Sequence, residues 1–204
     1  MATDTGSLPG PRVQESYPLT PLQHGMLFQG LLAPASGVNI QQVVCRLGEP
    51  VDADLLERAW CRMAQRHAIL RTRFRWADVA DPLQEVLQEV RLEIDRCDHE
   101  GLAPPAREAR LRRYLAVDRA RGFDLTEAPA MRLALFRHAG DEHVLVWSFH
   151  HILLDRAAVE AVLRDVFTLY DAGLDGVEVD LPARRPFREH VAWLRGRDPA
   201  ADEA

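Results

Sequence analysis

The chain has 204 residues, 47% hydrophobic and 27% charged, the composition of a globular protein with room for one good-sized core or two small ones. A formal charge of −6 argues against nucleic acid as the main partner, because phosphate binding needs a basic surface. There is no run of bilayer-spanning length and no charged-then-apolar signal at the N-terminus, so no membrane is expected and the location reads as cytoplasmic.

Residues 1–16 are polar and turn-forming and read as a disordered leader. A helix then opens after Tyr17-Pro18-Leu19. Thr20 serves as its N-cap, Pro21 as its first residue, and Gln23 stands at capping-box spacing. Gly37 to Leu47 reads as a strand centred on Val43-Val44-Cys45. Asp52 caps a second helix, Ala53 to Arg66, with Leu55, Leu56, Ala59, Trp60 and Met63 on its apolar face. His67 to Trp76 turns from helix into strand, and Leu83–Val90 and Leu92–Cys97 read as two short strands. Pro104-Pro105 starts an arginine-rich helix that Gly122 breaks after Arg121. Its arginines (Arg107, Arg110, Arg112, Arg113, Arg119, Arg121), interleaved with Glu108 and Asp118, read as a solvated face, with docking of an acidic partner as the alternative. Met131–Arg137 and Glu142–Phe149 predict a hairpin turning at Ala139-Gly140-Asp141. A helix follows Asp155 to near Gly173, and a last one runs from Phe187 to Leu194. The three cysteines, Cys45, Cys61 and Cys97, are scattered and read as small core residues rather than a disulfide framework or metal site. Helices alternate with strands throughout, giving an α/β or α+β class on a mixed sheet.

The stretch of most chemical interest is Ser148-Phe149-His150-His151-Ile152-Leu153-Leu154-Asp155-Arg156. It lies between a strand apolar enough to be buried on both faces and an amphipathic helix, a junction where open α/β sheets tend to bind ligands. Adjacent strand residues point to opposite faces. His151, nearer the loop, is therefore the candidate to accept or position a proton, and His150 points into the fold. Asp155 either braces the turn, orients a histidine or arginine, or is simply the cap of the next helix. There is no glycine-rich phosphate loop, no Gly-x-Ser-x-Gly elbow and no Cys/His spacing for a metal.

Three stretches together resemble the condensation domains of nonribosomal peptide synthetases. His150-His151-Ile152-Leu153-Leu154-Asp155-Arg156 is similar to the family's His-His-x-x-x-Asp-Gly. Arg66-His67-Ala68-Ile69-Leu70-Arg71-Thr72-Arg73-Phe74 is similar to its Arg-His-Glu-x-Leu-Arg-Thr-x-Phe, with Ala68 in place of Glu. Tyr17 to Phe28 resembles its first core motif. The resemblance covers about Tyr17 to Leu194. It implies a chloramphenicol-acetyltransferase-like lobe with a mixed, mostly antiparallel sheet flanked by helices. Residues 17–197 would be the N-terminal, donor-side lobe, and 198–204 a tail or the start of a linker to a C-terminal lobe absent from this sequence.

The activity implied is amide-bond formation between a carrier-bound acyl or peptidyl thioester and the amine of a carrier-bound acceptor. No cofactor is expected to bind directly; phosphopantetheine arms come with donor and acceptor peptidyl carrier proteins, and the adjacent synthetase domains are further partners. By position His151 would be the reacting histidine, with His150 beside it. Asp155 would be a structural carboxylate ion-paired to Arg71, and Arg156 and Gln23 would stand at the tunnel or its gate. Arg156 replaces the family's glycine, and the expectation is an effect on acceptor handling or catalysis if it points inward, none if outward. An isolated lobe is expected to be inactive. The competing readings are a stand-alone acyltransferase of the chloramphenicol type and a non-catalytic recruitment domain. An epimerization domain shares the histidine motif but would keep its other catalytic residue in the absent half. The Leu-Thr-Pro-Leu-Gln opening and Leu-Leu-Asp ending resemble subtypes that take a D-configured donor.

Overall fold

The computed structural model describes residues 11–33 and 36–196. The order of elements is β1 (Val13–Pro18), α1 (Pro21–Leu32), β2 (Ile40–Leu47), α2 (Ala53–Arg66), a 3₁₀ turn (Ala68–Arg71), β3 (Thr72–Arg75), β4 (Leu83–Leu87), β5 (Ile94–Asp98), α3 (Pro104–Arg121), β6 (Met131–Arg137), β7 (His143–His150), α4 (Arg156–Leu174) and α5 (Phe187–Gly196). The mixed, mostly antiparallel arrangement is observed, divided into two sheets: β1-β4-β3, and β2-β7-β6-β5 with only β5–β6 parallel. That parallel pair is joined through α3, as a parallel connection requires a crossover.

β7 lies inside its sheet, and every one of its residues is buried. Its two faces meet different layers. Leu145, Trp147 and Phe149 join the main core with α2 and α4, whereas Val144 and Val146 join a smaller cluster under Leu111 of α3. Trp147 meets Trp60 of α2 edge to face, with ring centroids 4.8 Å apart. The short turn between β6 and β7 uses Gly140 at φ +68°, a region open to glycine. No helix among the described residues is long and apolar enough to cross a membrane.

Two expectations are corrected here. Val13–Pro18, placed largely in the disordered leader, is a strand paired antiparallel with β4. Its polar sequence conceals the pairing because it lies at the sheet edge and only partly buries its side chains. Residues 1–10 and the expected tail 198–204 lie outside the described residues. Asp118, read as part of a solvated face, is buried. It accepts from Arg132 Nε (2.6 Å) and Gln42 Nε2 (2.9 Å), and Arg132 also donates to the Asp118 and Gly122 carbonyls. Burial works against this carboxylate, but hydrogen bonds from Ser148, Arg132 and Gln42 hold it below the usual carboxylate range. The network ties α3 to β2, β6 and β7.

Removing one partner of a buried pair strands the other. Asp118→Ala is therefore expected to lower stability by about 3–5 kcal/mol in urea unfolding. Glu108→Ala, at the exposed Arg46 pair, is expected to change it by less than about 0.5 kcal/mol. Equal losses would contradict this account of the network.

Candidate active site

The histidine motif sits where β7 ends. The β2–β7 ladder is extended one step by His151 N donating to Asn39 O (2.7 Å). The chain then turns through Ile152 and Leu153, with Leu153 N donating to His150 O (3.1 Å). Three apolar residues, Ile152, Leu153 and Leu154, are buried in the main core and anchor the turn. Asp155 ends it by capping α4, its Oδ1 accepting from Ala158 N (2.7 Å).

The two imidazoles have different environments, as strand alternation predicts. His150 is buried, and its Nδ1 accepts from Ile152 N (3.2 Å). Burial first, and the neighbouring His151 second, push its pKa down to about 4. Charging this ring would also place a proton where the Ile152 N–H now donates. His151 is half-buried and lines a cavity of 1380 Å³, larger than the roughly 300–1,000 Å³ usual for a small-ligand site. Its Nδ1 lies 2.8 Å from Leu154 O. A carbonyl can only accept, so Nδ1 carries the proton and, in the neutral ring, Nε2 carries the lone pair. That tautomer is the one able to receive a proton at Nε2.

The cavity is open on one side and is lined by β1, the start of α1, the end of α2 with the 3₁₀ turn, the motif turn, the first turns of α4, and residues 184–194. Gln23 stands on its wall. Its amide donates to Gln84 Oε1 and Ile152 O (both 3.3 Å) and accepts from Thr20 N and Gln84 Nε2 (both 3.0 Å). A side chain held at four points is a brace rather than a moving gate.

The expected Arg71–Asp155 ion pair is not formed. Arg71 is buried and donates to Ala64 O (2.8 Å), Gln14 Oε1 (3.2 Å), Gln88 O (3.3 Å), Gln65 O (3.4 Å) and Leu87 O. It clasps α2, β1 and β4 together. Asp155 is exposed, and the plain cap reading is the one observed. Arg156 does not line the cavity. Its side chain is 94% exposed and its Nε meets Glu160 Oε1 at 3.2 Å, one helical turn on. The inward reading of Arg156 is therefore overturned: as the first residue of α4 it points to solvent.

Sequence reasoning missed the Leu154 carbonyl, the Asn39 carbonyl, and the Arg66-His67 pair on the cavity wall. Backbone acceptors leave no sequence signal. The doubled Arg184-Arg185 ahead of Pro186 is a sequence signal for the basic side of this cavity.

Residues 13–203 match the family described as Condensation domain. The chain is 41% identical to a linear gramicidin synthase polypeptide of Brevibacillus parabrevis over 187 residues, which is 92% of this chain and 2% of that protein. In fold it is similar to the first condensation domain of the CDA synthetase, with a TM-score of 0.80 at 21% identity, over 89% of this chain and 45% of that one. It is also similar to a substituted starter condensation domain of rhizomide synthetase in complex with C8-CoA and Leu-SNAC. There the TM-score is 0.80 at 18% identity, over 88% of this chain and 41% of that one. The chain thus spans less than half the length of these solved structures and a small fraction of the synthase.

The depressed pKa of His150 has a consequence for stability. Unfolded, the ring takes a proton near pH 6.5; folded, only near pH 4. Stability linked to it is complete above pH 6.5 and is lost as pH falls towards 4, on the order of 3 kcal/mol over the window. Burial depresses His67, His99 and His138 in the same direction, so the test is a difference. Denaturant midpoints for His150→Leu should depend less steeply on pH between 6.5 and 4 than those of the parent. Parallel curves would mean that His150 titrates normally in the fold.

Proposed function

Because the chain belongs to the condensation-domain family, we propose that it is the donor-side lobe of such a domain, joining a carrier-bound acyl or peptidyl thioester to the amine of a carrier-bound acceptor. The observation that carries this reading is the orientation of His151, with Nδ1–H held by Leu154 O and Nε2 left available on the wall of a large cavity. The family match favours it over a stand-alone acyltransferase of the chloramphenicol type.

In the proposed reaction the acceptor nitrogen attacks the thioester carbonyl carbon. An α-amine has a reference pKa near 8 and must be neutral to attack. As the C–N bond forms, the nitrogen's proton passes to His151 Nε2. The C–S bond then breaks, and the imidazolium returns the proton to the departing sulfur. The products are an amide and a thiol, with no net change in the protein. Holding two tethered substrates together supplies a large share of the rate by proximity.

The remaining residues act at a distance. His150 contributes no charge near neutral pH, Asp155 fixes the end of the turn as the α4 cap, and Gln23 ties Ile152 to α1 and β4. Phosphopantetheine arms on donor and acceptor carrier proteins would bring both substrates, and the acceptor side would be completed by a C-terminal lobe. An isolated lobe is then expected to make no amide.

In an intact synthetase with both carriers loaded, His151→Ala should lower amide formation by about 100-fold or more. An unchanged rate would remove this role for the ring. Arg156→Gly, at a solvent-facing position, should leave the rate within about twofold of the parent. A larger change in product formation would show that Arg156 reaches the substrate.

A further inference from the structure

The outward face of α3 serves neither the cavity nor the core. Its inward residues Leu111 and Asp118 are buried, Leu111 in the cluster with Val144 and Val146, away from the α2–α4 layer. No described residue of α3 lines the cavity beside His151. Arg110, Arg112, Arg113 and Arg121 are all exposed, and none has a hydrogen bond or ion pair among the described residues. Six other exposed arginines, Arg46, Arg91, Arg96, Arg137, Arg156 and Arg188, each meet a carboxylate. Among the described residues no other helix leaves four arginines unpaired.

This clustering works against the helix that carries it. Arg107, Arg110 and Arg113 succeed one another at three-residue steps, the spacing at which helical side chains are neighbours and like charges oppose each other. The chain as a whole has an excess of acid, with a formal charge of −6, yet the acids of α3 bring no relief. Glu108 is engaged with Arg46, and Asp118 is buried with Arg132. Between the arginines the exposed side is made of Ala106, Ala109, Ala116, Ala120 and Val117. Such short side chains allow a second helix to lie close, with charged residues at the margins reaching its flanks. From Arg110 to Arg121 the face runs about 16 Å along the axis, and guanidinium forks match carboxylates in two-point pairs. Nucleic acid and lipid fit less well. The overall charge is negative, and Val117 is the one large apolar side chain exposed on α3, too little to enter a bilayer.

We infer that the outward face of α3 is a docking surface for a helix of another protein that carries carboxylates along one side. Arg113 stands at the centre of the face, with Arg110 and Arg121 along one margin and Arg112 along the other. The surface is separate from the cavity of His151, so a partner seated on it leaves that cavity open. Arg110 and Arg113 are the residues to test, because both are exposed and their replacement removes no internal contact.

The experiment is fluorescence anisotropy of the full chain with a labelled, alanine-rich peptide helix bearing glutamate along one side, beside the same peptide with glutamine. The glutamate helix should bind about tenfold more tightly, and the advantage should shrink as salt is raised. Arg110→Glu with Arg113→Glu should abolish the difference. Arg58→Glu with Arg62→Glu, the same charge change on the exposed side of α2, should keep it. Equal binding of the two peptides by the parent chain, or equal losses from the α2 and α3 variants, would overturn the surface. Arg110→Ala with Arg113→Ala should weaken the glutamate helix while keeping or raising the urea midpoint, because like charges are removed. A fall in that midpoint would show that the arginines serve the fold and overturn their docking role. A labelled oligothymidylate and phosphatidylserine vesicles complete the series. Tighter binding of either than of the glutamate helix, lost in the α3 variant, would assign the face to nucleic acid or lipid and overturn the acidic-helix reading.

Discussion

The strand β7 has to be buried on both faces, and most of the architecture answers that requirement. Its eight residues have no exposed side. One face needs the α2–α4 layer, where Trp147 meets Trp60, and the other needs α3. The edges are taken by β2 and β6, so the backbone has no unpaired groups either. Desolvating so much apolar surface is the main favourable term in a fold of this size. The histidine motif is therefore attached to a strand that is paired on both edges and covered on both faces.

From this follows the contrast between the two histidines. A strand delivers neighbouring side chains to opposite faces. One ring is buried in the fold and held neutral there, while the next emerges at the strand end beside open space. The same step in the chain that disables one imidazole presents the other. Leu154 O then selects the tautomer of the presented ring, and it can do so because Leu154 itself is buried in the core.

Local signals in the sequence were dependable. The Thr20 capping box, Pro21 at the first helical position, the Asp52 and Asp155 caps, the 104–121 helix and the β6–β7 hairpin all follow from residues a few positions apart. The site's central stretch was legible too, because three motifs stood in family order. What has no local signature is tertiary. Arg71 finds its partners 6 to 57 residues away, almost all of them carbonyls without a sequence signature. Asp118 looks like its exposed neighbours until α3 is laid on the sheet. Alternation identifies strands without saying which of them pair, so the division into two sheets could not be read.

The Gln23–Gln84 amide pair also bears on exchanging the histidine turn between members of the family. Its hydrogen bond to Ile152 O makes the shape of the histidine turn the joint property of α1, β4 and the turn itself. A chimera that imports only residues 150–156 inherits the letters of the motif but a foreign scaffold beneath it. The transplantable unit is larger: the turn together with Thr20, Gln23 and Gln84, three segments far apart in the gene that must travel as one.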